Sequence, residues 1–206
     1  SDPATGKKRN IKLEVKPHTL IPRPETEEFI EHLVDLTKEK NTSSTSEVST
    51  ISSPASATSS PLASSTPTTI LDLGTGTGAI ALALASSLPN TQVTAVDIST
   101  ESLALAQSNA HKNNLQDRVQ FLNSNWFEAI PADAKFDWII ANPPYLTEEE
   151  YQTAAPEVKQ HEPKSALVAT NEGLADLFII LEGALPHLNS NGLVALETGI
   201  HQHQQL

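Results

Sequence analysis

The chain contains neither cysteine nor methionine among its 206 residues. The lack of cysteine excludes a disulfide framework, a thiolate nucleophile and a thiolate metal site. The lack of methionine leaves no initiator residue. We therefore expect a processed, trimmed or engineered piece of a protein, with Ser1-Asp2-Pro3 left over from its preparation.

Positive charge is also scarce. Lys and Arg number 13 against 25 Asp and Glu, which gives a net charge of -12 and a pI near 4.9. Proteins that hold nucleic acid through its phosphates need basic surfaces, so direct nucleic-acid binding is disfavoured, whereas a basic protein partner is allowed. No apolar run approaches the roughly 18 residues of a membrane span, and no signal peptide opens the chain, so we expect no membrane partner.

The histidines do not form a recognisable metal motif. All seven are scattered, and His201 and His203 in the tail have no partners at ligand spacing. The sequence therefore predicts no metal site. A Gly-x-Ser-x-Gly elbow and a Walker lysine are both lacking as well, which excludes two common catalytic frameworks.

A Ser- and Thr-rich segment covers residues 41–69. Eighteen of its 29 residues are Ser or Thr, and only Glu47 is charged. Such a composition cannot bury enough apolar surface to offset the entropy of ordering. It predicts a disordered insertion rather than a domain boundary.

Residues 1–40 predict a strand and a helix that lead into the main domain. Apolar side chains alternate over 11–15, which is typical of a short strand. Pro24 can occupy the first helical position, and an apolar stripe follows it. We expect a helix over about 24–38.

Residues 70–206 alternate between strand and helix patterns. The predicted strands are 70–73, 92–97, 118–122, 136–141 and 192–198, and the predicted helices are 79–88, 100–113 and 174–185. This alternation predicts an α/β fold with a doubly wound, mostly parallel sheet.

Three glycines follow the first strand of this domain. Gly74, Gly76 and Gly78 let the backbone approach a ligand at the start of the next helix. Asp97 ends the second strand, where an acid accepts hydrogen bonds from ribose hydroxyls. Together they indicate a nucleoside-bearing cofactor. A nicotinamide dinucleotide in a dehydrogenase stays open, because Gly-x-Gly-x-x-Ala with Ala79 last also fits.

Asn125-Trp126-Phe127 follows the third strand. Its place near the carboxyl ends of the strands is where a base ring lies in an open α/β sheet. We interpret Trp126 as an adenine-stacking residue and Phe127 as a core residue.

The fourth strand ends in Asn142-Pro143-Pro144-Tyr145. Proline fixes φ and restricts the residue before it, so this backbone is extended and stiff. The Asn142 oxygen and the Pro143 carbonyl can accept the two hydrogens of one –NH2 group, and Tyr145 can pack on its face. No strong base or nucleophile accompanies them, which favours catalysis by positioning. A catalytically silent binding module stays open.

These motifs resemble the HemK (PrmC-type) protein-glutamine methyltransferases, which modify the glutamine of the Gly-Gly-Gln motif in class I peptide chain release factors. Asn-Pro-Pro-Tyr alone leaves methylation of adenine or cytosine amino groups in nucleic acid as an alternative. The other matching segments favour glutamine. The matching segments are Leu-Ile-Pro-Arg-Pro-Glu-Thr-Glu at 20–27, Leu-Asp-Leu-Gly-Thr-Gly-Thr-Gly at 71–78, Val96-Asp97, Asn125-Trp126-Phe127, Asn142–Tyr145, and Glu162-Pro163, Ala166-Leu167 and Gly173-Leu174.

The resemblance implies a class I, Rossmann-like methyltransferase domain over 70–206 that uses S-adenosyl-L-methionine. It also implies a release factor as substrate, and we expect a monomer. The implied cofactor-binding residues are Gly74, Thr75, Gly76, Thr77, Gly78, Asp97, Ile98, Asn125, Trp126 and Asn142. The implied catalytic residues are Asn142, Pro143 and Tyr145, and Pro144 joins them in binding the substrate.

Two departures from the family pattern shape further expectations. The family's helical N-terminal domain is absent, and the chain stops soon after the fifth strand, where class I methyltransferases add two more. An exposed fifth strand is an aggregation liability, so we expect truncation. The Ser/Thr-rich insertion suggests a eukaryotic member, for which the mitochondrion is the expected site of action and the cytoplasm the alternative.

Overall fold

A computed structural model describes residues 11–15, 24–43, 66–144, 148–153 and 174–198 of the chain. The helices are α1 Pro24–Ser43, α2 Ala79–Ser87, α3 Thr100–Lys112, α4 Glu148–Thr153 and α5 Ala175–Ala184, which continues into a 3-10 turn at Leu185–His187. The strands are β1 Thr68–Leu73, β2 Thr91–Asp97, β3 Val119–Asn123, β4 Phe136–Ala141 and β5 Leu188–Leu196.

The five described strands form one parallel sheet in the order β3-β2-β1-β4-β5. The chain first moves outward from β1 to β2 and β3, and then returns to the other side of β1 with β4. The strand order therefore reverses between β1 and β4. In open α/β sheets ligands bind outside the carboxyl ends of the strands at such a switch point.

The central strands β1 and β4 are largely buried on both faces, which explains why they read as nearly continuous apolar runs, whereas the edge strands β3 and β5 are partly exposed. Neighbouring residues of β1 point to opposite sides, so Ile70 packs in one core cluster and Leu71 in the other. The first cluster includes Leu33 of α1 and residues of α2, and the second includes Ile180 of α5. Helices thus cover both faces, which confirms the predicted doubly wound α/β fold.

The helix α3 has clear end signals in the sequence. Its N-cap is Ser99, whose hydroxyl accepts the Ser102 N–H at 3.1 Å. Glu101 lies in the first turn, and His111 and Lys112 lie in the last. Acids near the start and bases near the end complement the helix dipole, so this helix was predicted to within one residue.

Several predicted boundaries were wrong. The first helix extends to Ser43 rather than about 38, and Thr68 and Thr69 belong to β1, so the predicted insertion loses residues at both ends. Its central part, 44–65, lies outside the described residues. The strand β5 begins at Leu188 and ends at Leu196, not at 192 and 198. The short helix α4 was not predicted.

The predicted strand over 11–15 was also wrong. The segment is not part of the sheet; it lies along α3 and is held by two asparagine side chains of that helix region. The predicted alternation is partly kept, because Ile11 and Leu13 pack against the first core cluster, whereas Val15 is 45% exposed.

None of the helices in the described part of the chain is both long and apolar enough to cross a membrane.

Candidate methyl-transfer site

The strand register brings the predicted site residues into one row. Leu73 of β1 pairs with Ala141 of β4, so Gly74 and Asn142 follow each other across the sheet. Leu73 also pairs with Val96 of β2, which sets Asp97 level with Gly74. Neighbouring strands lie about 4.8 Å apart, so Asp97 and Asn142 flank Gly74 at roughly one strand spacing each.

The glycine loop is fastened to the end of β2. The Gly76 N–H donates to Oδ2 of Asp97 at 2.8 Å, and the Thr75 N–H donates to the Val96 carbonyl at 2.9 Å. The other Asp97 oxygen, Oδ1, accepts the Ser99 N–H at 2.8 Å. Asp97 therefore orders both its own strand end and the loop opposite.

Asp72 lies directly beneath this loop. It is 1% exposed, and its Oδ2 accepts the Thr75 hydroxyl at 2.6 Å. Burial raises the pKa of Asp72 to about 6, partly offset by the Thr75 hydrogen bond and by the backbone N–H of Ala81. Its buried Oδ1 makes no hydrogen bond of normal geometry, so the Ala81 N–H lies near the carboxylate without satisfying this oxygen. An unpaired buried carboxylate oxygen is costly unless a ligand or water supplies a donor.

The loop also leaves room for a ligand. Gly76 has φ +56, and a Cβ added there would meet no atom within 4 Å. Each Asp97 oxygen has accepted one hydrogen bond, and a carboxylate oxygen can accept a second. These features fit the amino-acid and ribose parts of S-adenosylmethionine, whose donors suit Asp72 and Asp97.

Ile98 directly follows Asp97 and is 71% exposed, which is unusual for a large apolar side chain. Its role as a cofactor-binding residue stays a prediction, as does the binding of ribose by Asp97.

Trp126 lies next to Gly74 of the same loop. Its indole ring is half-buried, and a Cβ added to Gly74 would lie 3.5 Å from it. Its backbone has φ 47, a conformation that bulky residues rarely adopt. The Ser124 hydroxyl stabilises this turn by donating to the Trp126 carbonyl at 2.9 Å and accepting the Ala129 N–H at 3.0 Å. The ring therefore borders the loop, and like Phe127 it also packs against the second core cluster. Its contact with the cofactor stays a prediction.

The side chain of Asn125 is exposed and donates to the Glu128 carboxylate at 2.8 Å. Phe127 stacks on His187 with ring centroids 5.4 Å apart, and it packs against the second core cluster. The core interpretation of Phe127 is confirmed.

Asn142 is half-buried at the end of β4, and Pro143 after it is buried. Pro144 is half-buried, and Tyr145 lies outside the described residues. The structure therefore brings Asn142 and Pro143 to the loop, while the contact predicted for Tyr145 stays a prediction.

One residue at this edge of the sheet, Glu197, was missed by sequence reasoning. Glu197 follows β5, and its N–H donates to the Ala141 carbonyl at 3.0 Å, which places it next to Asn142 in the row. Its Oε2 accepts the hydroxyl of buried Thr26 in α1 at 3.2 Å. The sequence did offer a signal for Glu197, because this acid lies near the end of the last predicted strand.

No group of three or more His, Asp or Glu side chains that could hold a metal ion occurs among the residues placed by the structure.

The sequence matches known proteins across most of its length. Residues 56–173, more than half of the chain, match the family model described as "Methyltransferase small domain". The chain belongs to the methyltransferase small domain family. A release factor glutamine methyltransferase from Pasteurella multocida is 40% identical over 96% of this chain and 62% of that protein. A bifunctional methyltransferase from Rickettsia felis is 42% identical over 92% of this chain and 36% of that protein.

A solved structure supports the fold. A putative caffeoyl-CoA O-methyltransferase from Staphylococcus aureus superposes with a TM-score of 0.51 at 15% identity, covering 87% of this chain and 59% of that one. The chain spans less than two thirds of the length of the curated relatives named above. Family and fold imply S-adenosylmethionine as the cofactor of this domain, which agrees with the room above Gly76.

Proposed function

We propose that this chain transfers a methyl group from S-adenosylmethionine to the side-chain amide nitrogen of the glutamine in the Gly-Gly-Gln motif of a class I peptide chain release factor. The observation that carries the proposal is the register pairing of Leu73 with Ala141, which puts Asn142 beside the cofactor loop. The relative from Pasteurella multocida, named for this activity, supports it.

The chemistry needs an acceptor for each amide hydrogen rather than a strong base. The Asn142 side-chain oxygen and the Pro143 carbonyl supply two acceptors, and together they orient the nitrogen lone pair. When bound, S-adenosylmethionine supplies an electrophilic methyl group on its sulfonium. The new N–C bond forms as the S–C bond breaks, and the nitrogen then releases one proton to solvent. Alignment accounts for most of the acceleration.

A protein substrate suits the charge of the chain better than nucleic acid does. A net charge of -12 repels phosphate backbones but attracts a basic protein surface. Rim charges act mainly on the rate of association. Methylation should therefore become slower as ionic strength rises.

The decisive experiment is mass spectrometry of a class I release factor after incubation with the 206-residue chain and S-adenosylmethionine. The expected result is a single methyl group on the glutamine of Gly-Gly-Gln. A release factor with that glutamine changed to asparagine is the matched control and should stay unmodified. Parallel incubations with DNA and RNA test the alternative, and methylation of nucleic acid alone would overturn the proposal.

The compartment and the oligomeric state are also proposals. We propose a mitochondrial site of action, because the Ser/Thr-rich insertion suggests a eukaryotic protein and organelles use class I release factors. We propose a monomer in solution. Cell fractionation and light scattering test these two statements independently of the activity.

A further inference from the structure

The backbone of the 11–15 segment is hydrogen-bonded to two asparagine side chains of the α3 region, in the way that one β-strand is hydrogen-bonded to its neighbour. The Asn109 oxygen accepts the Glu14 N–H at 2.8 Å, and its amide nitrogen donates to the Glu14 carbonyl at 3.0 Å. Asn113 does the same for Lys12, at 3.0 and 2.8 Å. Each side-chain amide thus replaces one peptide group of a β-ladder.

The spacing of the two asparagines explains why this works. Residues four apart on a helix are separated by about 6 Å along its axis. Alternate residues of an extended chain are separated by about 6.6 Å. Asn109 and Asn113 can therefore reach Glu14 and Lys12 at the same time.

The side chains of the segment also hold it in place, through apolar packing beneath it and an ion pair at the surface. Ile11 and Leu13 pack against the core cluster beneath the segment, and Lys112 forms an ion pair with Glu14 at the surface. The segment is therefore bound through both its backbone and its apolar side chains.

The two asparagines differ in one contact. The second amide hydrogen of Asn113 goes to the Asn109 carbonyl of its own helix, at 2.8 Å. The second amide hydrogen of Asn109 goes to the Thr77 carbonyl, at 3.0 Å, inside the cofactor loop. Asn109 is fully buried. One amide nitrogen thus holds the segment and the loop together.

The loop rests on α3 at a second point. A Cβ added to Gly78 would lie 3.2 Å from the Ala106 Cβ, which shows how closely the loop approaches the helix. Thr77 lies between Gly76, whose N–H binds Asp97, and Gly78. A shift of the Thr77 carbonyl therefore moves the part of the loop that borders the cofactor space.

We propose that Asn109 is a positioning residue that couples docking of the 11–15 segment to the cofactor loop. The segment orients the Asn109 amide, and the amide fixes the Thr77 carbonyl. Coupling between two binding events is reciprocal, so cofactor binding must also tighten the segment on α3. This inference rests on cofactor binding by the domain and does not depend on which substrate is methylated.

The test compares Asn109→Ala with Asn113→Ala in the full chain, using calorimetric titration with S-adenosylhomocysteine. Each variant loses its bonds to the segment, but only Asn109→Ala loses the bond to Thr77. We expect Asn109→Ala to weaken binding by about 10-fold and Asn113→Ala by less than about 2-fold, in keeping with the loss of one buried hydrogen bond. Equal effects, or no effect of Asn109→Ala, would overturn the proposal.

Backbone variants keep the test decisive if Asn109→Ala does not fold. Glu14→Pro removes the N–H that orients Asn109, and Lys12→Pro removes the N–H that binds Asn113. Glu14→Ala controls for the lost ion pair. Only Glu14→Pro should weaken binding of S-adenosylhomocysteine, and equal weakening by the two proline variants would contradict the coupling.

Hydrogen exchange separates coupling from simple stability. S-adenosylhomocysteine should slow exchange of the Lys12 and Glu14 amides in the wild type, and Asn109→Ala should abolish this response. If Asn109 were merely structural, its replacement by alanine would raise the exchange rates of the Lys12 and Glu14 amides by the same factor with and without ligand. A wild type that binds no S-adenosylhomocysteine would overturn the coupling, whereas failure to methylate a release factor would overturn only the proposed function.

Discussion

The N–H of Gly76 donates to the carboxylate of Asp97 at 2.8 Å, across 21 residues of sequence. This bond joins the two features from which a nucleoside cofactor was inferred. The acid that is expected to bind the ribose also holds the loop that is expected to bind the amino-acid part. One side chain therefore affects both ends of the cofactor site.

Replacing Asp97 with alanine should weaken S-adenosylhomocysteine binding by about 100-fold. The variant loses an acceptor for ribose and the anchor of Gly76, and hydrogen bonds to charged groups contribute about 1.5–3 kcal/mol each. Calorimetric titration measures the change. Asp133→Ala, at an exposed turn, is the control. If affinity stays within about 3-fold of wild type, Asp97 does not bind the ribose.

Gly76→Ala and Gly78→Ala should have different effects. A methyl group at Gly76 meets no protein atom but enters the cofactor space, whereas one at Gly78 lies 3.2 Å from Ala106. Both positions have positive φ, which costs an alanine about 1 kcal/mol. Gly76→Ala should lose most binding with a small loss of stability, and Gly78→Ala should lose more stability. Thermal unfolding and titration of both variants test this contrast, and the reverse order would refute it.

Asn142→Ala should reduce methyl transfer by about 100-fold or more, and it should weaken S-adenosylhomocysteine binding far less, because most of the predicted cofactor contacts come from other residues. The loss is comparable to removal of one preorganised hydrogen-bonding group from an active site. Single-turnover assays with release factor measure the rate. Asn90→Ala, at an exposed turn, is the matched control. Normal transfer by Asn142→Ala would exclude the proposed grip on the amide.

Asp72 should make stability depend on pH. Its pKa is raised to about 6 in the folded protein from an ordinary value of 3.8. The folded state therefore binds the proton more tightly than the unfolded state. This contribution to stability is fully present below about pH 4 and is lost as pH rises through 6. The difference between the two pKa values corresponds to about 3 kcal/mol.

Asp72→Asn removes this titration. The free energy of unfolding of the variant should rise relative to wild type between about pH 4 and pH 6 and then stay level. Urea denaturation at a series of pH values measures the difference. Asp133→Asn should show no such trend. A gap between Asp72→Asn and wild type that is constant across this range would mean that the raised pKa is incorrect.

The central strands and their site residues could be predicted because their signals are local. β4 was predicted to the residue, since a continuous apolar run ends at Asn142-Pro143. The glycine loop and Asp97 were found for the same reason, since the loop directly follows β1 and Asp97 ends β2. Proline and glycine act on the backbone at their own position, so no tertiary information is needed to read them.

The errors arose where tertiary contacts override local pattern. The start of β5 is polar, yet Asn189 is held by the Asp137 carboxylate at 2.9 Å, and the ladder is irregular between Phe136 and Trp138. The segment over 11–15 has a strand's alternation, but its partners are the side chains of Asn109 and Asn113, about 100 residues away. A sequence pattern shows that a backbone is extended without showing what pairs with it.

The pairing of β1 with β4 has a consequence for how the domain can fail. Most residues expected to hold the cofactor come from β1 to β3 and their loops, and the residues expected to bind the amide follow β4. Within the sheet these two parts meet over four residue pairs, from Ile70 and Trp138 to Leu73 and Ala141, and the Phe127–His187 stack joins them outside the sheet. A slip in this pairing that left the sheet folded would move Asn142 away from Gly74, so the protein would still bind its methyl donor but would no longer present the amide to it.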